Sequence, residues 1–246
     1  MILKLLSYNI HSGHDFEGKE NLADIGDFIK EVNADIVGMN EVDMKNERCG
    51  GIDQVEFLRE RAGYPYCAFS PSMEYRGGYY GNGLLSKYPI LEAEPVAIPK
   101  AEDADKHHEP RSILRCVIDA PCGKITVMVT HYGVYAPSER VEGVKKTLEL
   151  VEAAGEMPIF FMGDLNATPD SEELKPLYEK LFDTAKGFKE EALWSISFPY
   201  PSRRIDFIFA KHYNTLGTEF ATSCVLLWFV LGVVDICKGL SHYATC

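Results

Sequence analysis

The sequence predicts an α/β fold in which mixed β-sheets are layered against helices. Two observations indicate it: short apolar runs typical of buried strands alternate with amphipathic segments typical of helices, and strand pairs joined by tight turns interrupt that alternation. No internal repeat at a fixed period and no low-complexity linker divides the chain. We therefore expect residues 1–246 to form one domain, with an atypical tail at 220–246.

Strand–helix units open the chain. Residues 1–10 are apolar and predict a strand, and residues 21–32 carry apolar side chains at helical spacing. Residues 35–43 predict a second apolar strand that ends in a carboxylate, and residues 53–62 a second helix. This order favours sheets covered by helices.

Glycine and proline punctuate the next part of the chain. Residues 64–70 and 84–98 predict strands. The glycine-rich stretch 77–83 between them predicts an irregular loop, and it lacks the lysine of a phosphate-binding loop. Residues 100–110 are polar and predict an exposed loop.

The following region combines a hairpin with a further strand–helix unit. Residues 111–120 and 124–130 predict a hairpin, and residues 138–154 predict an amphipathic helix. Residues 157–162 form an uncharged run that predicts a strand buried on both faces, followed by a helix whose cap is Asp170 or Ser171. Residues 204–209 predict one more strand carrying a single acid.

Polar side chains recur where these strands end. They are Asn9, Glu41, His131, the pair Asp164 and Asn166, and Asp206, with His242 as a further candidate near the end of the sequence. A single polar residue at a strand end is most often structural. If the strands share sheets, however, their ends converge on one rim, where α/β proteins commonly bind ligands.

The chemistry that these residue types support is metal-assisted hydrolysis. Glu41 and Asn9 offer the oxygen ligands that suit Mg²⁺ (or Mn²⁺), an ion that takes only one or two carboxylates and keeps several waters. Asp164 would align or deprotonate an attacking water; the alternative is that its carboxylate only holds the loop.

The remaining polar residues suit the binding of a phosphate. Asn166 and His131 would donate hydrogen bonds to phosphate oxygens as charge develops there. Asp206 would fix the tautomer of a histidine. Arg111 is a candidate for binding an anionic substrate group, with a surface ion pair as the alternative role.

Several classes of protein are disfavoured. The sequence has no Gly-x-Ser-x-Gly elbow of a serine hydrolase and no Walker-type loop. Its net charge of −12 disfavours a nucleic-acid partner, although a local groove would override the total. Seven cysteines without a Cys-x-x-Cys pair, and an N-terminus unlike a signal peptide, favour a reduced, cytoplasmic protein. No pattern indicates an oligomeric state.

Six motifs in order resemble the endonuclease/exonuclease/phosphatase superfamily, whose members have the DNase I-like fold. They are Ser7-Tyr8-Asn9-Ile10, Asn40-Glu41-Val42-Asp43, Asn82-Gly83-Leu84-Leu85-Ser86-Lys87-Tyr88-Pro89-Ile90, Thr130-His131, Gly163-Asp164-Leu165-Asn166 and Arg204-Ile205-Asp206-Phe207-Ile208. The resemblance implies a four-layer α/β sandwich of two mixed sheets flanked by helices. It also implies divalent-metal-dependent hydrolysis of a phosphoester, with Glu41 as the main metal ligand and Asn9 beside it.

The resemblance further implies a role for each remaining site residue. Asp164 would position the nucleophilic water, and Asn166 and His131 would contact the scissile phosphate. Asn82 would line the substrate side, and Asp206 would partner the last catalytic histidine.

The tail departs from the family pattern, which closes with Ser-Asp-His. Only Ser241-His242 is present, without the aspartate between them. Residues 220–234 are uncharged, and these 15 residues fall short of the ~20 that a membrane helix needs. Two alternatives stand: diverged core strands with His242 in place, or a tail that is not the native ending, for instance after a frame change.

Three functions are consistent with these patterns. The first is hydrolysis of a phosphorylated small molecule, a phosphodiester or phosphomonoester, which the negative charge favours. The second is a DNA or RNA nuclease, whose cleavage would be sensitive to salt. The third is a catalytically weakened module that binds a phosphate ligand, which the incomplete Ser-His ending supports.

Overall fold

The computed structural model describes residues 2–104, 106–188, 195, 203–212, 214–219 and 228–235. Within these residues, strands and helices follow one another in the order β1 Ile2–Asn9, α1 Leu22–Val32, β2 Ile36–Met44, α2 Gln54–Ala62, β3 Tyr66–Tyr75, β4 Gly78–Ser86, β5 Ile90–Ala97, β6 Ser112–Ala120, β7 Gly123–His131, α3 Pro137–Ala153, β8 Ile159–Asp164, α4 Lys175–Lys180, β9 Phe182–Asp183, β10 Asp206–Lys211, β11 Asn214–Glu219 and β12 Trp228–Asp235.

In the described part of the chain, the strands form two sheets of six. The first sheet has the order β11-β12-β1-β2-β4-β3, and the second has the order β5-β6-β7-β8-β10-β9. The pairs β1–β2 and β7–β8 are parallel, and the other pairs are antiparallel. The expected mixed sheets are therefore confirmed.

Three apolar cores separate four layers. One core lies between the sheets, one lies between the first sheet and helices α1 and α2, and one lies between the second sheet and helices α3 and α4. Strand β1 shows the cause: Leu5 faces the other sheet, whereas Leu6 and Tyr8 face the helices. The four-layer sandwich implied by the resemblance is confirmed.

Strand β8 is buried on both faces, as its uncharged sequence predicts. Phe160 and Met162 pack between the sheets, and Ile159 and Phe161 pack against the helices. Because neither face meets water, the alternation of apolar and polar residues that marks a half-buried strand is absent.

The helices and most strands predicted from periodicity are confirmed with small boundary shifts, but the loop predicted at 77–83 is wrong. Strand β4 begins at Gly78, and only Arg76 and Gly77 turn the chain. Position 81 in this strand requires glycine, because a Cβ there would lie 2.0 Å from the Ser70 carbonyl oxygen. The glycines of this stretch allow neighbouring backbones to approach closely and do not mark a loop.

The tail is described in part. Residues 228–235 form β12, which pairs antiparallel with β1 over its full length. Residues 220–227 and His242 lie outside the described residues. No helix in the described ranges is both long and apolar enough to cross a bilayer.

Candidate active site

Strand register brings the predicted site residues together at one edge of the sandwich. His131 lies opposite Asp164 in the β7–β8 pair, and Asp206 lies opposite Asp164 in the β8–β10 pair. In the other sheet, Asn9 lies opposite Asn40 in the β1–β2 pair. Residues in register on neighbouring strands share a face, so each sheet contributes one row of polar side chains.

Asn9 joins the two rows. Its Nδ2 donates to Glu41 Oε1 at 2.9 Å and to Asp164 Oδ2 at 3.2 Å, while its Oδ1 accepts from the His11 backbone N–H at 3.0 Å. One amide therefore reaches a carboxylate from each sheet.

Glu41 occupies a bulge in β2. The pairing of β2 with β4 shifts between Met39 and Val42, and Glu41 has a left-handed φ of +56°. Bulges of this kind redirect a side chain, and positive φ in a residue other than glycine costs free energy that functional sites often bear. The bulge leaves Glu41 partly exposed beside the fully buried Asn40.

Gly163 lets β8 approach β7 closely enough to place Asp164 at the strand end. Its φ is +147°, and a Cβ there would lie 1.8 Å from the Thr130 carbonyl oxygen. After the strand, Asn166 adopts a φ of +49°, and its backbone N–H donates to Asp164 Oδ1 at 2.9 Å. The loop thus turns the Asn166 side chain back toward the site.

His131 is a neutral imidazole among hydrogen-bond donors. Its Nε2 lies 2.9 Å from Asn166 Nδ2 and 3.8 Å from Asp164 Oδ2, and its Nδ1 lies 3.3 Å from Arg111 Nη1. Burial, with a smaller contribution from the Arg111 charge, holds the pKa of His131 well below its ordinary value.

The acids of the site repel one another in a buried setting. Burial raises the pKa of Asp164 well above its ordinary value, and the charges of Asp206 and Glu41 raise it further. Burial also raises the pKa of Asp206 to about 6, opposed by the nearby Ser195 hydroxyl and by Arg204. Carboxylate charge at this edge is therefore unfavourable unless a cation compensates it.

The donor set fits a divalent cation. Both carboxylate oxygens of Asp206 are buried without a hydrogen-bond partner among the described residues. In the same ranges, no three His, Cys, Asp or Glu side chains form a ready metal cluster. A Mg²⁺ site needs only one or two carboxylates and water. Glu41 supplies carboxylate oxygens of this kind beside the uncompensated Asp206 carboxylate. Asn9 would add an oxygen ligand with its amide oxygen turned toward the ion.

The Asp206 shift predicts how stability depends on pH in the metal-free protein. A carboxyl whose pKa is higher in the folded state destabilises the fold above that pKa, and the penalty disappears as pH falls to the ordinary value. We expect the free energy of unfolding of Asp206→Asn, minus that of the wild type, to grow by on the order of 2–3 kcal/mol as pH rises from 3.8 through about 6. Urea titrations across this range measure it, and a difference independent of pH would contradict the assignment.

Asn40 is a candidate site residue that the sequence analysis does not single out. Its Oδ1 accepts from the Asp164 backbone N–H at 3.0 Å, and its Nδ2 donates to Asn82 Oδ1 at 2.8 Å and to the Thr130 carbonyl at 2.7 Å. It is fully buried and contacts both sheets. The signal was an amide inside an apolar strand directly before Glu41.

The resemblance implies that Asn82 lines the substrate side, but the structure places its side chain in the interior. It is 1% exposed; its Oδ1 accepts from Asn40, and its Nδ2 donates to the Ser112 carbonyl at 2.9 Å. Full burial between the sheets leaves it no open face. Asn9, Asn40 and Asn82 together form an inter-sheet amide cluster, and Asn82 lies at its inner end.

Replacing Asn40 by Ala tests the importance of this cluster. Three buried polar groups lose their partner, and we expect a loss of on the order of 2–4 kcal/mol in unfolding free energy, together with lower activity because the Asp164 backbone loses its anchor. The matched control is Asn46→Ala, another buried amide with backbone partners, Tyr79 and Cys49, away from the acids. It should lower stability without the loss of activity expected for Asn40→Ala, whereas equal activity in both variants would contradict the role of Asn40.

The chain is similar in sequence to a known family and to a named relative. The model of the Endonuclease/Exonuclease/phosphatase family matches residues 6–220. The uncharacterised protein YbhP of Escherichia coli (strain K12) is 29% identical over 175 residues, which cover 66% of this chain and 66% of YbhP. The match thus spans just under two thirds of that relative.

Solved structures share the fold. An endonuclease/exonuclease/phosphatase from Beutenbergia cavernae DSM 12333 is 20% identical with a TM-score of 0.79, and the match covers 97% of this chain and 72% of that one. TDP2 of D. rerio, complexed with a single-strand DNA product, is 19% identical with a TM-score of 0.68 over 95% of this chain and 99% of that one. At these identities the likeness establishes the fold alone.

Proposed function

The chain belongs to the endonuclease/exonuclease/phosphatase family, and from that premise we propose that it is a divalent-metal-dependent phosphoester hydrolase in which water attacks phosphorus. The observation that carries the proposal is the convergence of Glu41, Asp164 and Asp206 at one edge, beside the buried His131. Buried carboxylates without a matching cation are costly unless a ligand compensates them.

The residues divide the chemistry among them. Glu41 and Asn9 would hold the cation, which supplies charge neutralisation at the phosphate when bound. Asp164 would accept a hydrogen bond from the attacking water, because its carboxylate is fixed by Asn9 and by the Asn166 backbone. Asn166 and His131 would donate to the phosphate oxygens.

Asp206 would orient a histidine that completes the site. Among the described residues neither of its carboxylate oxygens has a hydrogen-bond partner, so both are free to accept from such a histidine. His242 remains the candidate for that histidine.

We further propose that residues 1–246 act as a single domain with an atypical tail at 220–246, in the cytoplasm.

We propose a small phosphodiester or phosphomonoester as the substrate. The net charge of −12 repels a polyanion over long range. The cationic side chain at the His131 side of the site, Arg111, is 6% exposed and already paired with Glu109 at 2.7 Å. Little positive charge is thus offered to a nucleic-acid backbone.

A panel assay tests the proposal. The purified full chain is incubated with small phosphodiesters and phosphomonoesters in the presence of Mg²⁺, Mn²⁺ or a chelator. We expect hydrolysis that needs the metal and that falls by ~10²–10⁴ in Glu41→Ala, the scale of losing one catalytic group. The control is Glu94→Ala on β5, an exposed acid paired with Arg115, which should retain full activity.

Other outcomes would replace the proposal. Hydrolysis that survives chelation, or that is equal in Glu41→Ala and the control, contradicts a metal-dependent site. Faster cleavage of oligonucleotides that weakens steeply with salt would indicate a nuclease. Binding of phosphate without turnover of any substrate would indicate a ligand-binding module.

A further inference from the structure

The two ring nitrogens of His131 both face donors. Arg111 Nη1 lies 3.3 Å from Nδ1, and Asn166 Nδ2 lies 2.9 Å from Nε2. A neutral imidazole carries a hydrogen on one nitrogen and accepts only at the other. One of these two contacts is therefore not a hydrogen bond in the neutral ring, and the choice fixes the tautomer.

The Arg111 contact takes precedence. A guanidinium has no acceptor and is always protonated, so a ring N–H at Nδ1 would point at a buried cation. Arg111 is 6% exposed, and its Nε already lacks a partner among the described residues. Losing the Nδ1 contact would leave a further donor of a buried cation unpaired.

The Asn166 contact is more easily given up. Its Nδ2 also donates to the Tyr132 carbonyl at 3.0 Å, and its side chain is partly exposed, so solvent or a ligand can replace the ring nitrogen. Hydrogen bonds from a charged donor are roughly twice as strong as neutral ones. The balance therefore favours acceptance at Nδ1.

We propose that Arg111 is a positioning residue that fixes His131 in its neutral Nε2–H tautomer. Glu109 holds the guanidinium through a 2.7 Å bond from Arg111 Nη2 to Glu109 Oε2. This chain of contacts reassigns Arg111, which sequence reasoning placed against the substrate. The tautomer follows from geometry alone, while its use in catalysis rests on the proposed function.

The tautomer decides what His131 does. Its Nε2–H lies on the side of Asp164 and Asn166, where the phosphate is proposed to bind. His131 then donates a hydrogen bond to a phosphate oxygen and does not accept a proton there. Outer partners that fix a histidine in this way commonly matter by ~10–100-fold in activity.

Nuclear magnetic resonance tests the tautomer without any substrate. Two-bond ¹H–¹⁵N correlation spectra of the histidine rings distinguish a protonated from an unprotonated nitrogen, and a His131→Gln sample assigns the signals. We expect Nε2 protonated and Nδ1 unprotonated in the wild type, and a loss of that preference in Arg111→Met. Arg111→Lys should restore it in part, because an ammonium still donates to Nδ1.

A matched control excludes a general effect of removing charge. Arg115→Gln changes another arginine near β5, one that pairs with Glu92 and Glu94 instead of His131. Its His131 spectrum should equal that of the wild type. A wild-type ring protonated at Nδ1, or an unchanged ring in a folded Arg111→Met, would overturn the proposal.

Kinetics separate positioning from substrate binding. We expect Arg111→Met, and more weakly Glu109→Gln, to lower kcat by ~10–100-fold with little change in KM. A raised KM at unchanged kcat would instead assign Arg111 to the substrate and overturn the positioning role. Because the spectra need no turnover, an inactive enzyme with the expected tautomer would count against the proposed function alone. If Arg111→Met does not fold, Glu109→Gln, whose side chain is 40% exposed, carries both measurements.

Discussion

Asp164→Asn is expected to reduce hydrolysis by ~10²–10⁴ while the protein stays folded. The change conserves shape, and the amide oxygen can still accept from the Asn166 backbone N–H, as Asp164 Oδ1 does at 2.9 Å. What is lost is the carboxylate that we propose as the acceptor for the attacking water. Burial and the charges of Asp206 and Glu41 raise the pKa of the Asp164 carboxyl, so its ionised form is unfavourable in the folded protein. Replacing it by a neutral amide should therefore partly offset the stability lost with its hydrogen bonds.

The measurement is the turnover of the best substrate of the panel, with thermal unfolding of the same samples. Asp170→Asn provides the control, because it makes the same change six residues along the same loop, where the carboxylate is exposed and bonds to Thr168. It should leave turnover unchanged. If Asp164→Asn retains wild-type turnover, Asp164 only holds the loop, the alternative that its sequence position left open.

Gly163→Ala is expected to produce the largest loss of stability. The new Cβ would lie 1.8 Å from the Thr130 carbonyl oxygen, and the φ of +147° is unfavourable for any side chain. The Thr130 carbonyl is a backbone group within the paired strands β7 and β8, so it cannot rotate away as a side chain could. Strain and overpacking together predict about 3–5 kcal/mol, a large share of the stability of an ordinary domain.

The control for this prediction separates strain from collision. Gly50→Ala also places a side chain at positive φ, +63°, but a Cβ there meets nothing within 4 Å. We expect it to cost about 1 kcal/mol. Chemical denaturation of both variants measures the difference, and comparable losses would show that β7 and β8 separate easily at this point.

The elements predicted correctly are those whose signal is local. Helical spacing of apolar residues marks α1 in the sequence, and an uninterrupted uncharged run marks β8. Only residues 84–86 of β4 are predicted as strand, since Gly81 is required by the neighbouring Ser70 carbonyl, which the sequence around it does not reveal. The six ordered motifs supplied the layer architecture that periodicity alone left general.

The types of residue in the candidate site are predictable from the sequence, but the hydrogen bonds that connect them are less so. Acids at strand ends were recognised because carboxylates are conspicuous in apolar strands. The role of Asn40 depends on Thr130 and Asp164, which lie about a hundred residues away in the chain. The role of Arg111 depends in the same way on which nitrogen of His131 it meets.

The division of the site between two sheets constrains how such a chain can be recombined. Strands β1 to β4 build one sheet with β11 and β12, and β5 to β10 build the other. A chimaera joined between β4 and β5 would inherit Glu41 from one parent and Asp164 from the other. Unless both parents place Asn9 and Asn40 alike, two intact halves would assemble into a protein whose acids no longer meet.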